Sequence, residues 1–183
     1  MMIDGHSVYI RPGFKPQKDW AVFFDRDGVI NVEKDFVCQL EDFALIPAAV
    51  AAIKKLNQKQ IPVIVVHNAA VVARNLCRLE QVEAFNQHLI KELLKQGAVL
   101  DAIFYCPHHQ DAYNPRFKKD CNWRKPQSGM LLAAQKKFRL DLTKSYLLGD
   151  HERDIEAGKN VGVAGFLIKN QQDILNAVNQ ILL

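Results

Sequence analysis

Five short apolar runs, separated by stretches with helical spacing, constrain this chain more than any other feature. The runs are Ala21-Val22-Phe23-Phe24, Ile61-Pro62-Val63-Ile64-Val65-Val66, Ala102-Ile103-Phe104-Tyr105, Ser145-Tyr146-Leu147-Leu148 and Gly165-Phe166-Leu167-Ile168. Unbroken apolar runs this short read as strands buried on both faces. Between them, Pro47 opens a stretch with Val50, Ile53 and Leu56 on one face. A longer one carries Leu79, Val82, Phe85, Leu89 and Leu93, with Gly97 as its expected C-terminal stop. Ser128 is expected to cap a third, and Ile174, Val178 and Ile181 mark a closing helix. Alternating strands and helices predict right-handed βαβ units: an α/β, Rossmann-like three-layer domain around a central parallel sheet.

We expect this domain over residues 20–183. Residues 1–19, polar and with prolines at 12 and 16, read as an irregular N-terminal extension. The stretch 106–127 lacks periodicity, and a loop that long in a compact domain is usually functional. With 49% hydrophobic and 24% charged residues the chain is globular in composition. Its net charge of +4 is too mild for an electrostatic nucleic-acid binder. No apolar run approaches the ~20 residues that span a bilayer. The first residues lack the basic-then-apolar order of a secretory signal, and four irregularly spaced cysteines make no disulfide scaffold. These features lead us to expect a cytoplasmic protein, a monomer, with no nucleic-acid or membrane partner.

In open parallel sheets ligands bind where strands end. The first run ends in Asp25-Arg26-Asp27-Gly28-Val29-Ile30-Asn31, the second in His67-Asn68, the fourth in Gly149-Asp150 with Asp154 beyond. Asp25 and Asp27 can face one cavity if the chain turns at Gly28. Carboxylates that close need a cation or a shared proton, and a hard cation such as Mg²⁺ supplies the first. One aspartate could then attack a phosphoryl group while the other moves a proton. An isolated D-x-D-G is otherwise an ordinary turn or cap. A second carboxylate set at another strand end favours the chemical reading.

These residues resemble the haloacid dehalogenase-like (HAD) phosphohydrolases: Asp25-x-Asp27-Gly28-Val29, Asn68, Lys125, and Gly149-Asp150-x-x-x-Asp154. Within them, Asp25 through Asn31, Tyr105-Cys106-Pro107-His108-His109 and Cys121-Asn122-Trp123-Arg124-Lys125-Pro126 look like the D,D-heptose 1,7-bisphosphate and histidinol-phosphate phosphatases. The likeness spans about residues 20–183 and carries no large cap domain. It implies Asp25 as nucleophile through an aspartyl-phosphate, and Asp27 as acid and then base. Asp25, Asp150 and the Asp27 carbonyl would hold Mg²⁺, Lys125 would neutralise the phosphoryl charge, and Asp154 would orient the site. It also implies substrate contacts from Glu33, Lys34, Asp35, Phe36, His67, Arg124 and Lys125. For the adjacent cations the plain alternative is a solvated basic loop with Arg116, Lys118 and Lys119.

Two departures stand out. The family carries Cys-x-His and later Cys-x-Cys around a structural zinc. Here Cys106, His108 and Cys121 supply three ligands, and Trp123 stands at the fourth place. His109 or a water could complete the site, or Trp123 could pack the loop with no zinc. Cys38 and Cys77 lie outside that pattern and read as core or half-buried thiols. Secondly, the family's Thr or Ser before Asn-Gln-Ser becomes His67, and the Gln and Ser become Ala69 and Ala70, which lack side-chain donors. His151 stands where relatives often have Lys. The reading is a Mg²⁺-dependent phosphatase for a small sugar phosphate, most simply D-glycero-D-manno-heptose 1,7-bisphosphate, in lipopolysaccharide-precursor synthesis. The alternatives are histidinol phosphate or another phosphomonoester, or a weakly active phosphate-binding relative.

Overall fold

The computed structural model describes residues 1–3, 6–33, 40 and 43–183. Among them seven strands form one sheet: β1 (Met2–Ile3), β2 (His6–Ile10), β3 (Val22–Phe24), β4 (Val63–Asn68), β5 (Ala102–Cys106), β6 (Tyr146–Gly149) and β7 (Ala164–Leu167). Their spatial order is β1-β2-β5-β4-β3-β6-β7. The five strands from β5 to β7 are parallel, and β1 and β2 add antiparallel at one edge. Residues 1–19 are thus not irregular throughout. The first ten carry two strands, and the irregular part follows them. Alternation over His6–Ile10 is too short to distinguish an edge strand from a loop by pattern alone.

Each central strand alternates between two apolar layers, as a pleat requires. Val22, Phe24, Val63 and Val65 face one core with α1 (Pro47–Gln58), the inner face of α3 (Leu79–Lys95) and α6 (Gln171–Ile181). Phe23, Ile64 and Val66 face the other with α4 (Gly129–Phe138) and α5 (Glu152–Lys159). The single turn α2 (Ala70–Ala73) follows β4. Pro47 sits in the first turn of α1, where its missing N–H costs nothing. Gly97 lies just past α3 with φ +75°, the left-handed stop expected there. Ser128 stands at the N-cap of α4 as expected, but its side chain makes no capping bond; its hydroxyl donates instead to the Ala157 carbonyl at 2.7 Å, tying α4 to α5.

The chain starts the parallel sheet at its centre. β3 pairs with β4 on one side and β6 on the other, so successive connections leave β3 in opposite directions. The crevice beyond such a strand is where α/β sheets bind ligands. Asp25 is the first residue past β3, and its N–H donates to the Leu148 carbonyl of β6 at 2.8 Å.

Candidate active site

A cavity of about 270 Å³ opens at that crevice, lined among others by Asp25, Asp27, Lys125 and Asp150. Its floor is a buried charge cluster. Lys125 Nζ lies 2.7 Å from Asp25 Oδ1 and 2.6 Å from Asp154 Oδ1, and donates to the Val66 carbonyl at 2.8 Å. Burial alone would lower the pKa of this ammonium. The two carboxylates outweigh burial and hold its pKa above the usual lysine value. Burial pushes the Asp25 carboxyl up to about 6 against the pull of Lys125, with Asp154 and Asp27 adding to the rise.

Asp150 reaches the same place from β6. Carboxylate oxygens of Asp25, Asp150 and Asp154 lie within 4.8 Å of one another. Three carboxylates against one lysine leave an excess of negative charge, so the donor set fits a hard divalent cation. The turn is shaped for it: Gly28 has φ +76°, and a Cβ there would collide with Asp150 Oδ2. Asp154 is fully buried. Besides meeting Lys125 it accepts from the His151 N–H at 3.0 Å, closing the start of α5. His151 Nδ1 lies 2.7 Å from Asp150 Oδ1.

Asp27 is held from the side. Arg26 donates to both its oxygens, at 3.1 and 2.8 Å, and Asn31 donates to Oδ1 at 2.9 Å. Burial would raise this carboxyl, but the guanidinium and Asn31 outweigh it and hold the pKa at about 2. Arg26 is itself buried, bonded to Asn86 of α3 at 3.1 Å and lying 4.6 Å from the Phe85 ring. Sequence reasoning passed over Arg26. The available signal was a charge between two aspartates directly after an apolar strand.

The other expected residues divide. Asn68 is at the cavity wall, but its amide is spent on the Lys125 backbone: Oδ1 accepts from the Lys125 N–H and Nδ2 donates to its carbonyl, both at 3.0 Å. Asn68 therefore positions Lys125. Arg124 lines the cavity with Arg74 and Arg153 and donates to the His108 carbonyl at 3.3 Å, so it is not merely a solvated loop cation. Glu33 lines the cavity as well. Lys34, Asp35 and Phe36 lie outside the described residues. His67 does not line the cavity, although substrate contact was expected of it. It is 1% exposed, stacks on Tyr105 at 5.4 Å, and neither ring nitrogen has a hydrogen-bond partner among the described residues. Burial, with Arg26 beside it, holds this imidazole neutral, well below its usual pKa.

Cys106, His108 and Cys121 do come together, and a fourth group joins them that sequence spacing gave no sign of. His6 of β2 has its ligand atom within 4.8 Å of theirs. His109 is turned elsewhere, accepting from the Asp111 N–H at 3.0 Å. Cys77 is buried but disulfide-bonded, not the plain thiol expected.

A parallel sheet with two aspartates past its central strand, a buried lysine and an acidic pair past the next strand defines a HAD-like phosphohydrolase. The HAD-hydrolase-like family model matches residues 122–174. A D-glycero-beta-D-manno-heptose-1,7-bisphosphate 7-phosphatase of Rhodopseudomonas palustris is 36% identical, over 89% of this chain and 90% of its own. One from Photorhabdus laumondii is 39% identical, over 75% of this chain and 73% of its own. The solved D,D-heptose 1,7-bisphosphate phosphatase of B. bronchiseptica, complexed with magnesium and phosphate, superposes with a TM-score of 0.79. It is 28% identical and covers 89% of this chain and 97% of its own. The chain belongs to the heptose-1,7-bisphosphate 7-phosphatase family of HAD-like hydrolases. It is a phosphatase, a phosphoric monoester hydrolase.

Proposed function

We propose that this phosphatase removes one phosphate from D-glycero-D-manno-heptose 1,7-bisphosphate, working as a monomer on a small metabolite. The observation that carries the reading is the placement of Asp25 on the floor of a cavity whose wall carries Arg74, Arg124 and Arg153. A buried carboxylate suits attack on one phosphoryl group. The guanidiniums suit the second anionic end of a bisphosphate, because their planar forks match phosphate oxygens.

In this mechanism Asp25 attacks phosphorus. Its Oδ1 is held by Lys125, so Oδ2 is the attacking oxygen. Phosphorus binds Asp25 as the bond to the sugar oxygen breaks, and Asp27 gives that oxygen a proton. The Arg26 pair keeps Asp27 ionised in the resting site, so Asp27 must take up a proton before it can serve as acid. Asp27, again a carboxylate once the sugar leaves, removes a proton from water, which attacks the aspartyl-phosphate and frees inorganic phosphate. Lys125 stabilises charge on the transferring oxygens throughout. Asp25, Asp150 and the Asp27 carbonyl are the groups to hold Mg²⁺, which supplies further charge neutralisation. Asp154 orients Lys125.

We assign zinc to Cys106, His108 and Cys121 as a structural pin for the 106–127 loop. The reading places the enzyme in the cytoplasm, where cysteines stay reduced and available to a metal. The disulfide at Cys77 is the feature a reducing compartment would open. A phosphate-release assay with Mg²⁺ tests the substrate. The heptose bisphosphate should give a kcat/KM at least ~10-fold above histidinol phosphate, a discrimination that pocket contacts readily supply. A preference for histidinol phosphate, or no turnover of the heptose, would overturn it.

A further inference from the structure

The N-terminal strand arrives at the start of the long loop. β2 runs antiparallel to β5 with Val8 opposite Phe104. Following that register toward the start of β2 brings His6 to the level of Cys106, the last residue of β5. There His6 Nε2 lies 3.2 Å from Cys121 Sγ, and Cys106 Sγ lies 3.8 Å from His108 Nδ1. Tetrahedral zinc, with bonds of about 2.3 Å to sulfur and 2.0–2.1 Å to nitrogen, requires nitrogen–sulfur edges of about 3.6 Å. The two observed edges bracket that value. Cys106, Cys121 and His6 are all buried, as in a closed structural site.

Trp123 explains how the fourth family position was vacated. Its side chain is 1% exposed and lies flat on the His6 ring, with centroids 4.2 Å apart and planes 4° apart. The residue that replaces a ligand therefore orients the imidazole that takes over. His108 meets His6 edge-on at 5.1 Å, and one ligand atom from each ring lies within 4.8 Å of the two sulfurs.

We infer that His6 is the fourth ligand of a two-cysteine, two-histidine zinc site. The inference rests on the zinc assignment above and extends it to another part of the chain. The metal would join β2, the end of β5 and the 106–127 loop in one knot, making the N-terminal strand part of the loop's anchor.

The test uses full-length wild type, His6→Ala, His6→Cys and the double variant H6A/W123C, all purified after growth with added zinc. Metal per chain is read by plasma mass spectrometry, affinity by competition with a chromogenic chelator, and ligand type by the absorption of the cobalt(II) forms. Wild type should hold one zinc per chain. H6A should lose at least ~10-fold in zinc affinity, since even second-sphere changes cost that much. H6C should keep the metal, and its cobalt form should show stronger thiolate charge-transfer bands, because three sulfurs replace two. H6A/W123C, which restores a sulfur at the family's position, should regain affinity. Wild type without zinc would overturn the zinc assignment and this inference together. Zinc-loaded wild type with H6A unchanged in affinity would overturn the role of His6 alone. If H6A fails to fold, an H6C cobalt spectrum identical to wild type would be the overturning result.

Discussion

Arg26 grips both oxygens of Asp27, at 3.1 and 2.8 Å, while its other guanidinium nitrogen is tied to Asn86. The pair makes Asp27 a persistent carboxylate, with a pKa of about 2 against about 3.9 for an ordinary aspartate. A depressed carboxyl stabilises the native state above its unfolded pKa. That contribution is lost as pH falls through about 2. Arg26→Gln should therefore lower Tm clearly at pH 6 and much less at pH 2.5. The variant's alkaline limb of kcat should also move to higher pH, because an Asp27 without its cation keeps longer the proton it must donate. Equal Tm losses at both pH values, with an unmoved kcat profile, would contradict this.

Asp25→Asn should leave turnover below about a thousandth of wild type, since an amide cannot form the phosphoenzyme. The fold should survive, because Lys125 keeps its Asp154 partner at 2.6 Å. Circular dichroism and a phosphate-release assay check both halves.

Chelation should abolish activity, and added Mg²⁺ should restore it. The clustered oxygens of Asp25, Asp150 and Asp154 carry more charge than Lys125 neutralises. Undiminished turnover in EDTA-treated protein, verified metal-free, would sink the magnesium assignment.

Asn68→Ala removes both hydrogen bonds to the Lys125 backbone. Leaving those groups unpaired should cost about 1–3 kcal/mol of stability. kcat should fall while KM stays near wild type, because Asn68 acts through the lysine. A rise in KM alone would make Asn68 a substrate contact instead.

The second motif gives a separable pair of variants. Ala70 lines the cavity, so Ala70→Ser adds a donor where the family has one and should raise kcat up to about tenfold. His67 does not line it, so His67→Thr should leave KM unchanged. If H67T instead changed KM several-fold, the imidazole would be reaching substrate despite its burial.

The strands and the acidic rim were legible because both arise from local rules. A strand buried on both faces must be an apolar run, and a parallel sheet must gather its strand ends at one rim. Asp25 and Asp150 follow from that, whereas Lys125, in the aperiodic 106–127 stretch, was reached only through the family resemblance. His6 was not legible, because an edge strand of five residues leaves little periodicity and its partner Cys106 lies 100 residues on. Asn68 and His67 share one strand, and pattern alone could not show which faced the cavity. Ser128 has the right residue type for a cap, but a tertiary acceptor on α5 took its hydroxyl.

The left-handed turn at Gly28 has a further consequence. With φ at +76° and Asp150 Oδ2 where a side chain would begin, position 28 is closed on two independent grounds, torsional and steric. Relaxing the backbone would not admit an alanine, since the obstruction is a carboxylate the chemistry cannot spare. In a saturation library selected for phosphatase activity, codon 28 should return glycine alone, while its neighbours return a spectrum.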